Sequence, residues 1–284
     1  MCILAIQYKT VPNAPILVAH NREEYFDRPT QGPKIQSGKP RVICGIDRKA
    51  GGTWFGVNQH GLFIAVANRP KANPPVEPRS RGLLCRELMG QANAQDATDY
   101  AAAELRTGAY AGANYLCADA DYGYVVYGGN HVEAVELKPG LHIMTNGNID
   151  DRMDERQEFV RRQLTLQKID SAVAFLAVAS RAFARKPDAQ GRHGVVMTGG
   201  DFGTVSSTLL SLPDRIQNAV FQYASGPPSE TTFDDCSALL RQVLSTDKSK
   251  EARERELAEA EAAAEAAAEA ASEAAEAVEE IEEC

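Results

Sequence analysis

Apolar residues along the first part of the chain fall in short runs with the spacing of β-strands. Ile3–Tyr8 and Ile16–His20 flank Val11-Pro12-Asn13-Ala14-Pro15, a turn-forming stretch, so they are expected to pair as a hairpin. Arg41–Ile46, Trp54–Val57 and Leu62–Ala67 read as further strands, with Asn58-Gln59-His60-Gly61 turning between the last two. The Pro-rich stretch Pro70–Pro78 ends this pattern. Arg81–Ala92, with Leu84, Cys85 and Leu88 on one side, predicts a helix. Gln95–Leu105 predicts a second, with Asp96 and Thr98 as capping candidates. Strand character returns at Asn114–Ala118, Tyr122–Tyr127, His131–Leu137 and Leu141–Thr145. Helices follow over Asp151–Gln167 and Ser171–Ala184, then a polar, Gly-containing loop over Arg185–Asp201. Val205–Leu212 and Arg215–Ser225 read as a closing hairpin around Pro213-Asp214.

Strands, helices, strands, helices, strands is not the alternation of a parallel doubly wound sheet. The order predicts antiparallel sheets with segregated helices in stacked layers, an α+β body. From about Lys248 the material changes. Glu261, Glu265, Glu269 and Glu273 recur among alanines. Alanine favours a long helix, while like charges four apart cost a few tenths of a kcal/mol per pair. Apolar anchors are sparse (Leu257, Val278, Ile281), and no heptad seam appears. The chain is therefore divided into a body over 1–247 and an acidic Ala/Glu-rich helical tail over 248–284, a solvated arm suited to contacting another protein.

Composition sharpens this picture by exclusion. The net charge of −9 comes from the tail, which has eleven acidic and no basic residues from Glu256 onward. The body is nearly neutral and has no basic stripe with interleaved aromatics, so no nucleic-acid partner is expected. No run reaches the roughly 18 apolar residues of a membrane span. The first residues lack a basic region followed by an apolar core, so a cytoplasmic location is expected. Cys2, Cys44, Cys85, Cys117, Cys236 and Cys284 form no C-x-x-C pair and read as reduced thiols. His60, His131, His142 and His193 lack metal-ligand spacing, so no metal site is expected. Gly199-Gly200-Asp201-Phe202-Gly203 lacks the Lys-Ser/Thr ending of a phosphate cradle and reads as a loop.

Candidate chemistry starts at Cys2. Removal of Met1 would leave Cys2 with a thiol and a free α-amine, a nucleophile and a base on one residue. An α-amine with an ordinary pKa of roughly 8 accepts a proton near neutrality. His20-Asn21-Arg22-Glu23-Glu24 follows the second apolar run directly. These polar side chains are expected at that strand's end, facing the start of the first strand. Two other runs end in asparagine, at Asn68 and Asn146. Strand-end amides are suitable donors to a developing oxyanion. Trp54, the single tryptophan, reads as core or pocket wall.

Met1-Cys2, Asn21-Arg22-Glu23-Glu24, Gly51-Gly52-Thr53-Trp54-Phe55-Gly56-Val57-Asn58 and Thr145-Asn146-Gly147 stand in an order that resembles the NRDE family, of the transport and Golgi organisation type. Glu23 stands where the family name has Asp. The resemblance runs from Cys2 to about Phe221 and leaves out the tail. It implies an N-terminal-nucleophile hydrolase-like fold, a four-layer α-β-β-α sandwich of two antiparallel sheets.

Similarity to the wider group of cysteine hydrolases, which includes bile-salt hydrolases and penicillin V acylases, implies residue roles. Cys2 falls on the nucleophile and Glu23 on the acidic residue that holds its amine. Asn21 and Arg22 belong to the same site motif. Asn68 falls on an oxyanion-hole asparagine and Asn146 on a second active-site asparagine. His20 and Val205 stand where that group carries arginines, so two cations beside the thiol are expected to be missing, with Arg22 able to replace one.

Two functions follow from the resemblance. One is hydrolysis of a C–N amide or thioester bond in a small acyl substrate, without a cofactor. The other is a non-catalytic intracellular carrier of haem or of a lipid or acyl ligand, with Cys2 or His20 placed to contact an iron.

Overall fold

The computed structural model describes residues 2–245, so the Ala/Glu-rich helix expected over 248–284 lies outside the described residues. The strands in chain order are β1 (Cys2–Tyr8), β2 (Ile16–Tyr25), β3 (Thr30–Gln36), β4 (Val42–Asp47), β5 (Phe55–Asn58) and β6 (Phe63–Asn68). Helices α1 (Arg81–Leu88) and α2 (Ala94–Arg106) precede β7 (Ala113–Ala118), β8 (Gly123–Gly128), β9 (Val132–Glu136) and β10 (Gly140–Met144). Helices α3 (Glu155–Thr165) and α4 (Ala172–Phe183) are followed by β11 (Phe202–Leu212), β12 (Val220–Ala224) and the short β13 (Asp234–Asp235). A further helix covers 237–245.

One sheet has the order β10-β1-β2-β11-β12-β13 and the other β3-β4-β5-β6-β7-β8-β9, with every pairing antiparallel. The expected α+β arrangement of two antiparallel sheets with helices is therefore present. The inward residues of β1 and β2 (Leu4, Ile6, Tyr8, Ile16, Val18) meet Phe55, Phe63 and Ala65 of the second sheet. Leu84, Leu88, Ala97 and Ala101 of α1 and α2 extend the same core beyond that sheet. The opposite faces of β1 and β2 (Ile3, Ala5, Leu17, Ala19) bury Val160, Leu164, Phe175 and Ala179 of α3 and α4. Period-two alternation in the first hairpin thus builds two cores, one on each face. Among the described residues no helix is long and apolar enough to cross a membrane.

Several boundaries differ from expectation, each for a local reason. The second strand runs to Tyr25 instead of stopping at His20, because β11 pairs along its other edge from Leu212 back to Phe202. The polar run His20–Glu24 therefore lies within a central strand. Strand β3 has no apolar alternation to reveal it; it is an exposed sheet edge and carries Pro33, which an edge tolerates. Helix α2 is capped by Asn93, whose side chain accepts from the backbone N–H of Asp96, in place of the Asp96 and Thr98 candidates. Helix α3 starts at Glu155, because Asp154 caps it by accepting from the N–H groups of Arg156 and Gln157. In the expected strand Arg215–Ser225, a 3₁₀ turn over Ile216–Asn218 comes first, and only Val220–Ala224 extends.

Candidate active site

Register sorts the residues of the run His20–Glu23 onto two faces. Cys2 pairs with Arg22 and Leu4 with His20, so these four side chains share the face turned toward the second sheet. Ile3 pairs with Asn21, which with Glu23 faces the α3–α4 layer. One polar run therefore serves two surfaces.

On the inner face, Cys2 and Arg22 line a cleft of about 250 Å³ with Trp54, Asn68 and Arg81. Burial pushes the Cys2 thiol above its ordinary pKa, opposed by the positive amino terminus and by the Glu23 backbone N–H. Arg22 is only 4% exposed. Its guanidinium lies 4.0 Å from the Trp54 ring centre, and its Nη1 donates to Thr30 Oγ1 at 2.8 Å. Burial lowers its pKa, and the neighbouring Cys2 and Glu24 oppose that shift. Trp54 is thus the cleft wall, with its ring holding the cation beside the nucleophile.

On the outer face, the Glu23 carboxylate is fully buried and forms an ion pair with Arg156 of α3. Arg156 Nη1 donates to Glu23 Oε2 at 3.2 Å, while Nη2 donates to the second carboxylate oxygen and to Val195 O at 2.9 Å. Burial raises the Glu23 pKa, and the Arg156 charge and hydrogen bonds oppose the rise. Asn21 donates from Nδ2 to Phe183 O at 3.0 Å, tying β2 to the end of α4. Its role here is to join layers, on the side of the sheet away from the cleft.

The two asparagines implied as oxyanion donors sit differently. Asn68, the exposed last residue of β6, lies on the cleft. Asn146 lies two residues beyond β10. Extending the register from the Leu4–Met144 pair brings it level with Cys2. Its Oδ1 is buried without a partner. The backbone on either side of it is fixed by Asn114, whose Nδ2 donates to Thr145 O at 3.1 Å and Gly147 O at 2.7 Å.

His20, implied as an iron contact, does not line the cleft with Cys2. It is 1% exposed, stacked on Phe55 with ring centres 5.3 Å apart, and enclosed between the sheets. Burial, followed by the Arg22 charge, lowers its pKa to about 3, so it is a neutral core residue. Val205 sits in the β-bulge between Thr204 and Ser206, where β11 slips against β2. Among the described residues the cleft is nevertheless lined by four arginines, of which Arg28 and Arg79 are paired with carboxylates and two matter most for Cys2. One is Arg22; the other is Arg81, the first residue of α1, which sequence reasoning did not single out. No local motif marks Arg81. Only the packing of α1 against the Gly51-Gly52-Thr53-Trp54 loop brings it to the cleft. Among the described residues no cluster of three or more His, Cys, Asp or Glu could hold a metal ion.

Comparison with known proteins agrees with this architecture. The chain is 29% identical to the Transport and Golgi organization protein 2 homolog of Bos taurus, over 74% of this chain and 88% of the bovine one. It is 26% identical to the Mus musculus homolog, over 53% of this chain and 58% of the mouse one. Among solved structures it is similar to a Caenorhabditis elegans N-acylethanolamine-hydrolyzing acid amidase ortholog, with TM-score 0.50 and 14% identity over 75% of this chain and 94% of that one. That likeness shows an N-terminal-nucleophile hydrolase-like fold. The model of the family described as Transport and Golgi organisation 2 matches residues 1–215, so the chain belongs to that family.

Proposed function

We propose that this protein is a cysteine-nucleophile hydrolase acting on an amide or thioester bond of a small acyl substrate. The observation that carries the reading is the placement of Cys2. It opens β1 on the cleft and pairs across the hairpin with Arg22, whose guanidinium lines the same cleft. After Met1 is removed, the Cys2 amine takes the thiol proton as sulfur bonds to the acyl carbon. Asn68, which lines the cleft, donates to the developing oxyanion. As the C–N bond breaks, the amine passes its proton to the leaving nitrogen, and a thioester remains on Cys2. Water then adds to that thioester, its proton goes to the amine, and the thiolate leaves with the proton restored. Arg22 stabilises the thiolate form. The reading includes a cytoplasmic location, supported by five unpaired cysteines among the described residues.

Turnover of a panel of acyl amides and acyl thioesters by wild type, Cys2→Ala and Asn68→Ala tests the proposal, with intact mass reporting Met1 removal. We expect turnover in the wild type, none in Cys2→Ala, and a loss of roughly 100-fold or more in Asn68→Ala, as for one oxyanion donor. Undiminished turnover in Cys2→Ala refutes the nucleophile. Retained Met1 in an active enzyme refutes the amine as base. Ligand binding without turnover of any substrate supports the carrier role instead.

A further inference from the structure

The cleft contains a cation that the proposed reaction leaves unused. Most charges around Cys2 are paired. Arg28 Nη2 lies 2.6 Å from Asp47 Oδ2. Glu24 is shared between Arg22 and Arg28 at 3.7 Å each. Arg79 pairs with Glu104 and Glu87. Arg81 is the exception. Its Nη1 donates to Gly112 O at 3.1 Å, and among the described residues it makes no ion pair. Arg81 and Cys2 line the same cleft, and burial lowers the Arg81 pKa while Tyr115, Glu24 and Cys2 oppose that.

This cation is held in place by construction. Thr53 N donates to Gly82 O at 2.9 Å, and Tyr115 Oη donates to Arg81 O at 2.9 Å. A Cβ on Gly52 would stand 2.2 Å from the Gly82 carbonyl carbon, so only glycine lets the loop before Trp54 approach the start of α1 this closely. One loop therefore sets both Trp54, which holds Arg22, and the turn that carries Arg81. A partly desolvated guanidinium without a carboxylate, facing a cleft, has unused hydrogen-bonding capacity for an oxyanion.

We propose that Arg81 is the anion-binding group of the Cys2 cleft, and that the substrate carries a carboxylate close to the bond that Cys2 attacks. The second half rests on the hydrolase reading; the first does not. An N-acyl amino acid has the required chemistry, with its carboxylate one carbon from the scissile nitrogen.

Alkylation of Cys2 separates the two halves. Rates with anionic iodoacetate and neutral iodoacetamide are measured by peptide mapping, with glutathione as the reference thiol. Their ratio cancels any change in thiolate fraction, because both reagents attack the same thiolate. We expect the iodoacetate-to-iodoacetamide ratio at Cys2 to exceed that of glutathione by about tenfold, or ~1.4 kcal/mol. Arg81→Gln should return it to the glutathione value. Arg81→Lys should keep part of the preference, and Arg79→Gln, whose guanidinium is already paired, should keep nearly all of it. A wild-type ratio at or below that of glutathione overturns the anion site. So does a raised ratio that survives in a cooperatively melting Arg81→Gln protein. Should that variant not fold, loss of the preference in Arg79→Gln with full retention of fold would likewise overturn the assignment. N-acylglycines are then compared with the matching N-acylglycinamides. Faster turnover of the acids supports the substrate class, and equal turnover overturns it. Absence of any turnover refutes the hydrolase reading while a raised alkylation ratio still upholds Arg81.

Discussion

Replacing Arg156 by methionine removes the guanidinium that pairs with the Glu23 carboxylate, while its side chain still fills much of the space. The Glu23 side chain is fully buried and that of Arg156 is 26% exposed. Breaking a buried pair by removing one partner costs about 3–5 kcal/mol. The lower end applies here because Arg156 reaches partly into solvent, giving about 3 kcal/mol, or roughly 6–12 °C in melting temperature for a domain of this size. The loss should depend on pH. Burial already raises the Glu23 pKa in the folded protein, with Arg156 opposing. Without Arg156 the folded pKa rises further. A carboxyl with a raised folded pKa binds its proton more tightly when folded, so stability falls as pH increases from the unfolded value up through the folded one. Arg156→Met should therefore lose more of its stability at pH 8 than at pH 5, relative to wild type. Adding Glu23→Gln removes the buried charge, so the double variant should recover more than half of the loss and most of the pH dependence. Melts followed by circular dichroism at both pH values, for wild type and the three variants, give the complete cycle. The single variant melting within 1–2 °C of wild type at pH 8 (roughly the shift of half a kcal/mol), or a double variant no better than the single one, would refute the reasoning.

Two adjacent glycines should respond differently to alanine. Gly52→Ala drives a Cβ into the backbone of Gly82 and breaks the Thr53–Gly82 hydrogen bond, costing about 2–4 kcal/mol. Gly51→Ala has open space but a φ of +73°, so only backbone strain of about 1 kcal/mol applies; thermal melts placing Gly51→Ala below Gly52→Ala would contradict the close-approach argument. His142 is held at Nδ1, 2.6 Å from Asp150 Oδ2, and at Nε2, 2.7 Å from Lys138 O. Burial lowers its pKa, but these two partners outweigh it and the net shift is upward. The associated stability is complete below the unfolded value near 6.5 and is lost as pH rises through the folded pKa, so His142→Gln should cost about 1 kcal/mol at pH 6 and less at pH 8. A cost that grows between those pH values would show that the imidazole is not held protonated.

The layered fold was readable because its signals are local. Apolar alternation in Ile3–Tyr8 and Leu62–Ala67 and helical spacing in Arg81–Ala92 each report on their own segment. Elements whose stability comes from partners distant in sequence were harder to place. Strand β3 persists through its pairing with β4 despite Gly32 and Pro33. The tetrad His20–Glu23 has the composition of a loop, yet β1 and β11 flank it on both sides and turn it into strand. The candidate site divides in the same way. Cys2, Arg22 and Trp54 lie close to segments that sequence pairs directly. Arg81 reaches the cleft through a glycine contact that no periodicity records.

Strand geometry also explains how one short polar run can connect chemistry with structure. In β2, Arg22 shares a face with Cys2, whereas Asn21 and Glu23 point to the helical layer. Glu23 nevertheless reaches both surfaces. Its carboxylate locks onto Arg156, and its backbone N–H favours the Cys2 thiolate on the strand alongside. Anchoring the side chain behind the sheet therefore fixes the position of a donor at its front edge. The Glu23–Arg156 pair is a positioning element for the nucleophile as well as a stabilising contact. Glu23→Gln keeps the backbone donor and most of the packing, so Cys2 alkylation by iodoacetamide should change little. In Arg156→Met the strand edge loses its anchor, so the same rate should change more than the loss of one distant charge explains. Equal alkylation rates in wild type and folded Arg156→Met would confine the pair to a purely structural role.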